Sequence, residues 1–315
     1  MAYKIFIDGK DGTTGLKIYE RFKNRADLVL LQCDDAERKN PAARRTLINE
    51  SDVTFLCLPD DAAQESVALC TNERTRIIDA STAHRTTAGW VYGFPELSPQ
   101  FRKAIAAAKR VAVPGCYASG FNALCYPLVQ GGIIPRDYPV VCQAVSGYSG
   151  GGKKAIAQYE TPNRPTELDT PRLYALSQQH KHVPEMQKIS GLQFAPAFMP
   201  YICNYFSGMT VTVALHTRLL ATQMTAYNVW EFLSLHYSDA RFVRVVGFMG
   251  TDILTEPFIP ANSLAGTNMM RIFVSGNDER VILTAQFDNL GKGASGAAVQ
   301  CLNILLGLDE STGLV

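Results

Sequence analysis

The stretch KIFIDGKDGTTG, residues 4–15, decides the fold of the first part of the chain. A short apolar strand ends at Asp8, glycines follow at positions 9, 12 and 15, and residues 16–22 continue with helical apolar spacing. Glycines in such a turn let the backbone approach a pyrophosphate, and the helix N-terminus attracts its charge. The spacing is GxxGxxG rather than GxGxxG, and a tight turn without a ligand is the alternative. The residues predicted to bind a nucleotide here are Gly9, Gly12, Thr13, Thr14 and Gly15.

Three further apolar runs continue this alternation of strand and helix. Residues 27–33, 52–58 and 76–79 are typical of strands, and the alanine-containing segments between them suit helices. Such alternation indicates a doubly wound parallel sheet. We therefore predict a Rossmann-like α/β domain over residues 1–115, against which a small-residue helix at about 293–315 packs.

The second part of the chain has a different pattern. Longer strand-like runs occupy residues 140–145, 209–215, 270–274 and 281–287, and few helical segments interrupt them. Strands clustered in this way favour an α+β domain with a mixed sheet. We predict that residues 116–292 form this domain.

Composition excludes several classes of protein. The 30 basic and 29 acidic side chains nearly cancel, so a nucleic-acid partner is not expected. No apolar run approaches the ~20 residues of a membrane span, and the N-terminus lacks the pattern of a signal peptide. The eight cysteines form no CxxC pair, which argues against a zinc site or a disulfide framework. We expect a cytoplasmic protein with no metal and no membrane partner.

Cys116 is the strongest candidate for a catalytic residue. It lies in VAVPGCYASG, residues 111–120, where a β-branched run ends and a helical segment begins. In the first turn of a helix, unpaired backbone N–H groups and the helix dipole favour a thiolate, and the same N–H groups stabilise an oxyanion. A buried core cysteine is the alternative. The local context favours the nucleophile.

The segment HKHVPE, residues 180–185, supplies candidates for a proton partner. Pro184 suits a helix start with Glu185 in its first turn, so His180 and His182 lie in the entering loop. A loop histidine can exchange a proton with a cysteine, and two surface histidines beside a capping proline are the alternative. Spacing alone does not choose between His180 and His182.

The segment GYSGGGKK, residues 147–154, matches two well-known motifs only in part. It satisfies the G-x-S-x-G pattern of α/β-hydrolases, but Asp169 and His180 follow too soon for the strands of that fold. It also contains G-x-x-x-x-G-K, but Lys154 stands where a phosphate-binding loop needs Ser or Thr. Backbone N–H groups together with Lys153 or Lys154 could still hold a substrate phosphate or carboxylate.

Two other segments predict contacts with a dinucleotide. After the second strand, an acidic residue at the strand end would suit a ribose 2′-hydroxyl, whereas Arg38, Lys39 or Arg44 could hold a 2′-phosphate. Both are present, and the basic cluster slightly favours NADP, although a solvated helix face explains it equally well. In DNLGKGASG, residues 288–296, a strand end, glycines and a helix start could face the nicotinamide, and a plain strand–helix turn is the alternative. The predicted cofactor contacts in these segments are Arg38, Asn289, Lys292 and Gly293.

Six segments together carry a resemblance to a known family. They are the glycine turn at 9–15, DASTAHR at 79–85, YGFPEL at 92–97, PGCYAS at 114–119, HKHVPE at 180–185 and DNLGKGASG at 288–296. Over nearly its whole length the chain resembles the N-acetyl-γ-glutamyl-phosphate reductases in their shorter form, part of the semialdehyde dehydrogenase superfamily. The first turn departs from the Gly-Ala-x-Gly-Tyr-x-Gly of longer members, which leaves the cofactor contacts less defined than the catalytic ones.

The resemblance implies an activity and assigns residues to it. It implies the NADPH-dependent reduction of N-acetylglutamyl 5-phosphate to the 5-semialdehyde in arginine biosynthesis, through a thioester on Cys116. It makes His180 the acid/base and Glu185 a support of the proton relay. NADP(H) is then the cofactor, and residues 116–292 form the catalytic, substrate-binding and dimerisation domain. A homo-oligomer, dimer or tetramer, is the expected assembly. The residues expected to bind substrate are Arg85, Ser146, Tyr148, Lys153 and His182.

Three other functions are compatible with parts of the same sequence. An aspartate-semialdehyde dehydrogenase would share the two-domain plan and the cysteine–histidine pair, but the Pro-Gly-Cys-Tyr context distinguishes this chain. A thiol hydrolase or amidotransferase would use the same pair but not the glycine turn. A non-catalytic NADP-sensing protein would bind the cofactor without thioester chemistry.

Overall fold

The computed structural model describes residues 2–34 and 36–315 and divides them into two compact units. The first comprises the chain up to Pro114 together with Ala294–Leu314. The second comprises Gly115–Gly293 together with Val315. No helix in the described part of the chain has the length and apolar character needed to cross a membrane.

The first unit is built on a parallel sheet. Its strands are β1 (Tyr3–Asp8), β2 (Leu28–Leu31), β3 (Val53–Leu56), β4 (Arg76–Asp79), β5 (Val91–Tyr92) and β6 (Arg110–Ala112), in the order β2-β1-β3-β4-β6-β5. Its helices are α1 (Thr13–Phe22), α2 (Pro41–Glu50), α3 (Asp60–Leu69), α4 (Pro99–Ala107) and, last in the chain, α9 (Gly296–Leu305). Every strand pair is parallel, which confirms the predicted doubly wound sheet.

The core of this unit joins the sheet to helices at both ends of the sequence. Ile5, Phe55 and Ile78 from the sheet pack with Ile18 and Phe22 of α1. All ten residues of α9 are buried, and its small side chains at 296–298 let the helix lie close to its neighbours. The terminal segment of the chain therefore completes the core that the first strand begins.

The second unit is built on a mixed sheet of seven strands. They are β7 (Val141–Gly147), β8 (Arg172–Leu173), β9 (Ala197–Cys203), β10 (Met209–His216), β11 (Val243–Val245), β12 (Met270–Gly276) and β13 (Arg280–Phe287), in the order β11-β12-β13-β10-β7-β9-β8. The helices are α5 (Cys116–Gln130), α6 (Gly152–Glu160), α7 (Val183–Ser190) and α8 (Ala226–His236). Two strand pairs, β7–β9 and β11–β12, are parallel and the others antiparallel, which confirms the predicted mixed sheet.

One face of this sheet carries α5. Along β10 the residues alternate, with Met209, Val211, Val213 and Leu215 buried while those between them are more exposed. A Cβ at Gly120 of α5 would lie 2.6 Å from Val211 Cγ2, so glycine permits the close approach of helix and sheet. This packing holds the N-terminal end of α5, where Cys116 lies.

Candidate active site

Cys116 is the first residue of α5. Pro114 and Gly115 join the end of β6 to the helix, and Gly115, in an extended conformation, is its N-cap. The half-buried thiol therefore lies where first-turn amides have no acceptor within the helix and the dipole is positive. A Cβ at Gly293 would lie 2.9 Å from Cys116 Cβ, so only glycine fits beside the thiol. The predicted position of Cys116 at a helix start is what the structure shows.

Glu185 approaches the same turn from α7. Its side chain is almost fully buried, and Oε1 accepts a hydrogen bond of 2.9 Å from the Gly115 N–H. Pro184 is in the first turn of α7, as the sequence predicted, and this places Glu185 where it can reach across. The carboxylate thus holds the residue that immediately precedes Cys116.

His180 and His182 lie together, and both contact Tyr117, the residue after Cys116. The two imidazole rings are 4.7 Å apart and nearly perpendicular. Their centroids lie 5.8 Å and 5.7 Å from the Tyr117 ring. His182 is buried, whereas His180 is only half-buried. The structure therefore brings Cys116, both histidines and Glu185 into one region of the second unit.

A main-chain contact selects the tautomer of His180. The backbone N–H of His182 donates to His180 Nδ1 at 3.1 Å. Because Nδ1 accepts this hydrogen bond, the proton of the neutral ring resides on Nε2. The N–H that the neutral ring of His180 can offer to another group is therefore on Nε2, a distinction that its sequence context did not contain.

Tyr174 joins this region although no sequence motif singled it out. Its hydroxyl lies 3.0 Å from the hydroxyl of Tyr117, 57 positions away in the chain. Burial raises the pKa of both phenols, and negative charge on Cys116 raises them further. Both therefore remain neutral hydrogen-bonding groups beside the thiol at physiological pH.

The structure gives Ser146, Tyr148 and Lys153 different surroundings. The Ser146 hydroxyl is buried and donates to the Gly147 carbonyl at 3.1 Å. Tyr148 stacks on Tyr159 with 4.6 Å between ring centroids, and Lys153 is exposed in the first turn of α6. Their roles in substrate binding stay predictions.

Asn289 and Lys292 are both buried in the second unit. Asn289 Oδ1 accepts from the Gly208 N–H at 2.8 Å, and Nδ2 donates to Ser149 Oγ at 3.0 Å. The Lys292 ammonium lies 5.8 Å from the centroid of the Phe242 ring. Asn289 thus forms hydrogen bonds with both Gly208, which precedes β10, and Ser149, which follows β7. The predicted nicotinamide contacts of both residues stay predictions.

Arg85, in the first unit, is bound to main-chain carbonyls. Its Nε donates to Val113 O at 2.9 Å and Nη2 to Ala80 O at 3.3 Å. The preceding turn is held by buried Asp79, whose Oδ2 lies 2.6 Å from His84 Nδ1. These contacts connect Arg85 with the segment that enters Cys116, and its predicted contact with substrate stays a prediction.

The glycine turn of the first unit borders a cavity of about 550 Å³. Gly9 has φ +87°, and a Cβ there would lie 2.5 Å from Cys57 O, so the turn needs glycine. Gly12 is the N-cap of α1, and Thr13 and Thr14 begin the helix, so its first-turn amides lie beside the turn. A cavity of this size beside a helix N-terminus fits the adenosine and pyrophosphate of a dinucleotide.

The basic side chains at this cavity differ in their partners. Arg44 is buried and forms ion pairs of 3.1 Å with Asp8 and with Glu65. Arg38 is exposed and paired with Asp11 of the glycine turn, and Lys39 is also exposed. Since Arg44 is buried between two carboxylates, whereas Arg38 and Lys39 are exposed at the cavity, Arg38 and Lys39 are the better candidates for holding a 2′-phosphate.

Comparisons with known proteins identify the same family over nearly the whole chain. Residues 9–107 match the NAD binding domain of semialdehyde dehydrogenases, and residues 116–289 match their dimerisation domain. A Pseudomonas putida protein named N-acetyl-gamma-glutamyl-phosphate reductase 2 is 47% identical over 98% of both chains. A Nostoc protein of the same name is 45% identical over 99% of both. The chain belongs to the N-acetyl-γ-glutamyl-phosphate reductase family.

This membership confirms the resemblance, the oxidoreductase class and the use of a nicotinamide cofactor. Aspartate semialdehyde dehydrogenase II of Vibrio cholerae shares the fold, with a TM-score of 0.72 over 98% of this chain and 99% of that chain. At 15% identity, that likeness concerns the fold alone. The matches support a semialdehyde dehydrogenase over a thiol hydrolase, because both halves of the chain match domains of that class.

Proposed function

We propose that this chain reduces N-acetyl-L-glutamyl 5-phosphate to N-acetyl-L-glutamate 5-semialdehyde with NADPH and releases phosphate, in arginine biosynthesis. The observation that carries the proposal is the position of Cys116 at the start of α5, with Glu185 on the preceding amide and the two histidines around Tyr117. In this assignment the first unit binds the cofactor and the second performs the chemistry. Relatives of that name that are 45% and 47% identical over nearly their whole length support the substrate.

The chemistry of the second unit begins at the thiol. Cys116 attacks the acyl carbon as the thiolate that the helix N-terminus favours, the bond from that carbon to the phosphate oxygen breaks, and phosphate leaves a thioester on the enzyme. The amides of the first turn of α5 stabilise the oxyanion of the tetrahedral stage. Glu185 positions these amides through Gly115. A bound nicotinamide supplies the hydride that takes the acyl group to the aldehyde level.

The acid/base role belongs to His180 in this assignment. Its Nε2 carries the proton, because Nδ1 accepts the His182 N–H. This N–H donates a hydrogen bond to the developing alkoxide and stabilises its negative charge, until the carbonyl forms and the thiolate leaves. The bound phosphate is already a good leaving group, and Lys153 and Arg85 are proposed to neutralise its charge.

The proposed activity predicts a selective reverse reaction. The purified protein should reduce NADP when given phosphate and N-acetylglutamate 5-semialdehyde, and should do so far faster than with aspartate semialdehyde. Absorbance of the reduced nicotinamide measures both rates, with phosphate omitted as the control. Equal or better use of aspartate semialdehyde would contradict the proposed substrate. Turnover without phosphate would contradict the acyl-phosphate chemistry.

The preference for NADPH is proposed to come from Arg38 and Lys39. Replacing both with serine should lower the ratio of kcat/KM for NADPH to that for NADH about 10- to 100-fold, because a 2′-phosphate would lose charge-assisted hydrogen bonds. Arg45→Ser is the matched control, since Arg45 is exposed on α2 but does not line the cavity. An unchanged ratio in the double variant would place the 2′-phosphate elsewhere.

We further propose that the chain forms a homodimer through the sheet of its second unit. The face of that sheet opposite α5 includes exposed Val141, Gln143 and Ala214, with half-buried Thr210 and Thr212 between them. Such a mixed apolar and small polar face suits a protein interface, and the match to a dimerisation domain supports this use. We place the dimer, or a tetramer built from it, in the cytoplasm.

A further inference from the structure

The second unit holds a guanidinium that the proposed chemistry does not use. Arg172, on β8, donates from Nη2 to the Tyr159 hydroxyl at 3.0 Å, and its guanidinium carbon lies 5.3 Å from the Tyr159 ring centroid. Its Nε is buried and has no hydrogen-bond partner. Among the described residues, no carboxylate lies within ion-pair distance of Arg172. A half-buried cation without an anion is unusual, because burial is unfavourable for an uncompensated charge.

A second guanidinium, that of Arg164, also contacts the Tyr159 ring, but it has a carboxylate partner. Arg164 lies 6.0 Å from the Tyr159 ring centroid and donates to the Tyr159 carbonyl at 2.7 Å. Its Nε also lacks an acceptor, but Arg164 forms an ion pair with Asp169, which Asn204 supports at 2.9 Å. The nearby Glu160 carboxylate accepts from the Tyr148 hydroxyl. Arg172 is therefore the cation of this cluster that lacks a carboxylate.

The position of Arg172 on β8 places it close to Tyr174, a residue of the region around Cys116. The Tyr174 N–H donates to Pro200 O at 3.1 Å, which continues the pairing of β8 with β9 by one residue. Arg172 and Tyr174 consequently lie on the same side of the strand, and exposed Leu173 lies on the other. The Tyr174 hydroxyl reaches that of Tyr117, the neighbour of Cys116. Arg172 is thus two strand positions from a residue of the active site.

A separate set of contacts leads from the thiol to the same cluster. Gly293 lies against Cys116, and Asn289 in the same segment binds Ser149. The residue before Ser149 is Tyr148, whose ring stacks on Tyr159. Two separate series of contacts within the second unit, one through Tyr174 and one through Asn289, therefore link Cys116 to the Tyr159 ring that Arg172 contacts.

We infer that Arg172 binds the α-carboxylate of the substrate, an inference that rests on the proposed function. The substrate carries an acyl phosphate at one end and a carboxylate four carbon–carbon bonds from the reacting carbon. The carboxylate thus needs a cation near the thiol but distinct from the groups that bind the phosphate. A guanidinium matches a carboxylate with two parallel hydrogen bonds, and Nη1 of Arg172 has no acceptor among the described residues.

The test compares two aldehydes that differ only in the carboxylate. N-acetylglutamate 5-semialdehyde carries it and 4-acetamidobutanal lacks it, and both are assayed with phosphate and NADP. In Arg172→Met, kcat/KM for the first should fall about 100-fold, and that for the second far less, because only the first loses a buried charge pair. The preference of the wild type for N-acetylglutamate 5-semialdehyde over 4-acetamidobutanal, measured as the ratio of their kcat/KM values, should therefore be largely lost. Arg172→Lys should retain part of it.

Arg164→Met is the matched control, since it removes a cation from the same ring and should keep the preference. Unchanged NADP binding and thermal stability would show that each variant is folded. If Arg172→Met keeps the wild-type preference for the aldehyde that carries the carboxylate, the inference is overturned. A collapse in Arg164→Met alone would also overturn it. A wild-type protein inactive on N-acetylglutamate 5-semialdehyde would instead overturn the proposed function, and this inference with it.

Discussion

Replacing Cys116 with serine should abolish turnover, with a loss of about 10⁴-fold or more, while cofactor binding and the fold remain. An alcohol at neutral pH is a far poorer nucleophile than a thiolate at a helix N-terminus. The residues that line the cavity at the glycine turn all belong to the first unit, so the substitution replaces none of them. Steady-state rates with N-acetylglutamate 5-semialdehyde and a titration with NADP measure the two effects. Near-normal activity of the serine variant would refute the assignment.

Thiol labelling provides the control for this prediction. Cys125 lies on the same helix and Cys142 on β7, and burial raises the pKa of both thiols. Their thiolates are therefore scarce at neutral pH, and iodoacetamide should modify Cys116 well before either. Peptide mapping of the partly labelled protein identifies the modified residue. If activity falls only when another cysteine is labelled, the nucleophile lies elsewhere.

Replacing His180 with asparagine should lower kcat by roughly two to four orders of magnitude, the usual contribution of general acid–base catalysis. The Nε2 proton is lost, while the buried surroundings of Tyr117 and Phe198 change little in volume. Single-turnover and steady-state measurements should both show the loss. Since the defect lies in proton transfer, NADP affinity should stay the same.

The same substitution at His182 is the matched comparison. His182 holds His180 through its backbone N–H, and that donor is kept in His182→Asn. The His180 tautomer should therefore persist, and the main change should be a higher KM for the substrate. If kcat falls more in His182→Asn than in His180→Asn, the acid/base role belongs to His182.

Glu185 shows why part of the candidate site was visible in the sequence and part was not. Its place in the first turn of α7 follows from Pro184, a local signal. Its partner, the Gly115 N–H, is 70 positions away, and no spacing rule relates the two. The resemblance implied a role in a proton relay, and the structure adds a role in holding the turn that carries Cys116.

Arg44 and Tyr174 likewise have contacts that no local pattern in the sequence indicates. Arg44 belonged to a basic cluster that suited a 2′-phosphate, but the ion pairs with Asp8 and Glu65 become apparent only when α2 packs beside β1 and α3. Tyr174 follows β8, an edge strand of two residues that is too short to produce an alternating pattern. Its value to the site comes from a hydroxyl contact across the fold.

The sequence by itself determined the features that depend on neighbours along the chain. The parallel sheet follows from short apolar runs separated by helical segments, the nucleotide turn from Gly9 and Gly15, and the helix start at Cys116 from Pro114 and Gly115. Tertiary structure alone decided which nitrogen of His180 carries the proton, what Glu185 holds and that no carboxylate of the described residues pairs with Arg172. These properties arise from hydrogen bonds and charges between side chains and backbone that only the folded chain brings within a few ångströms, so no local pattern encodes them.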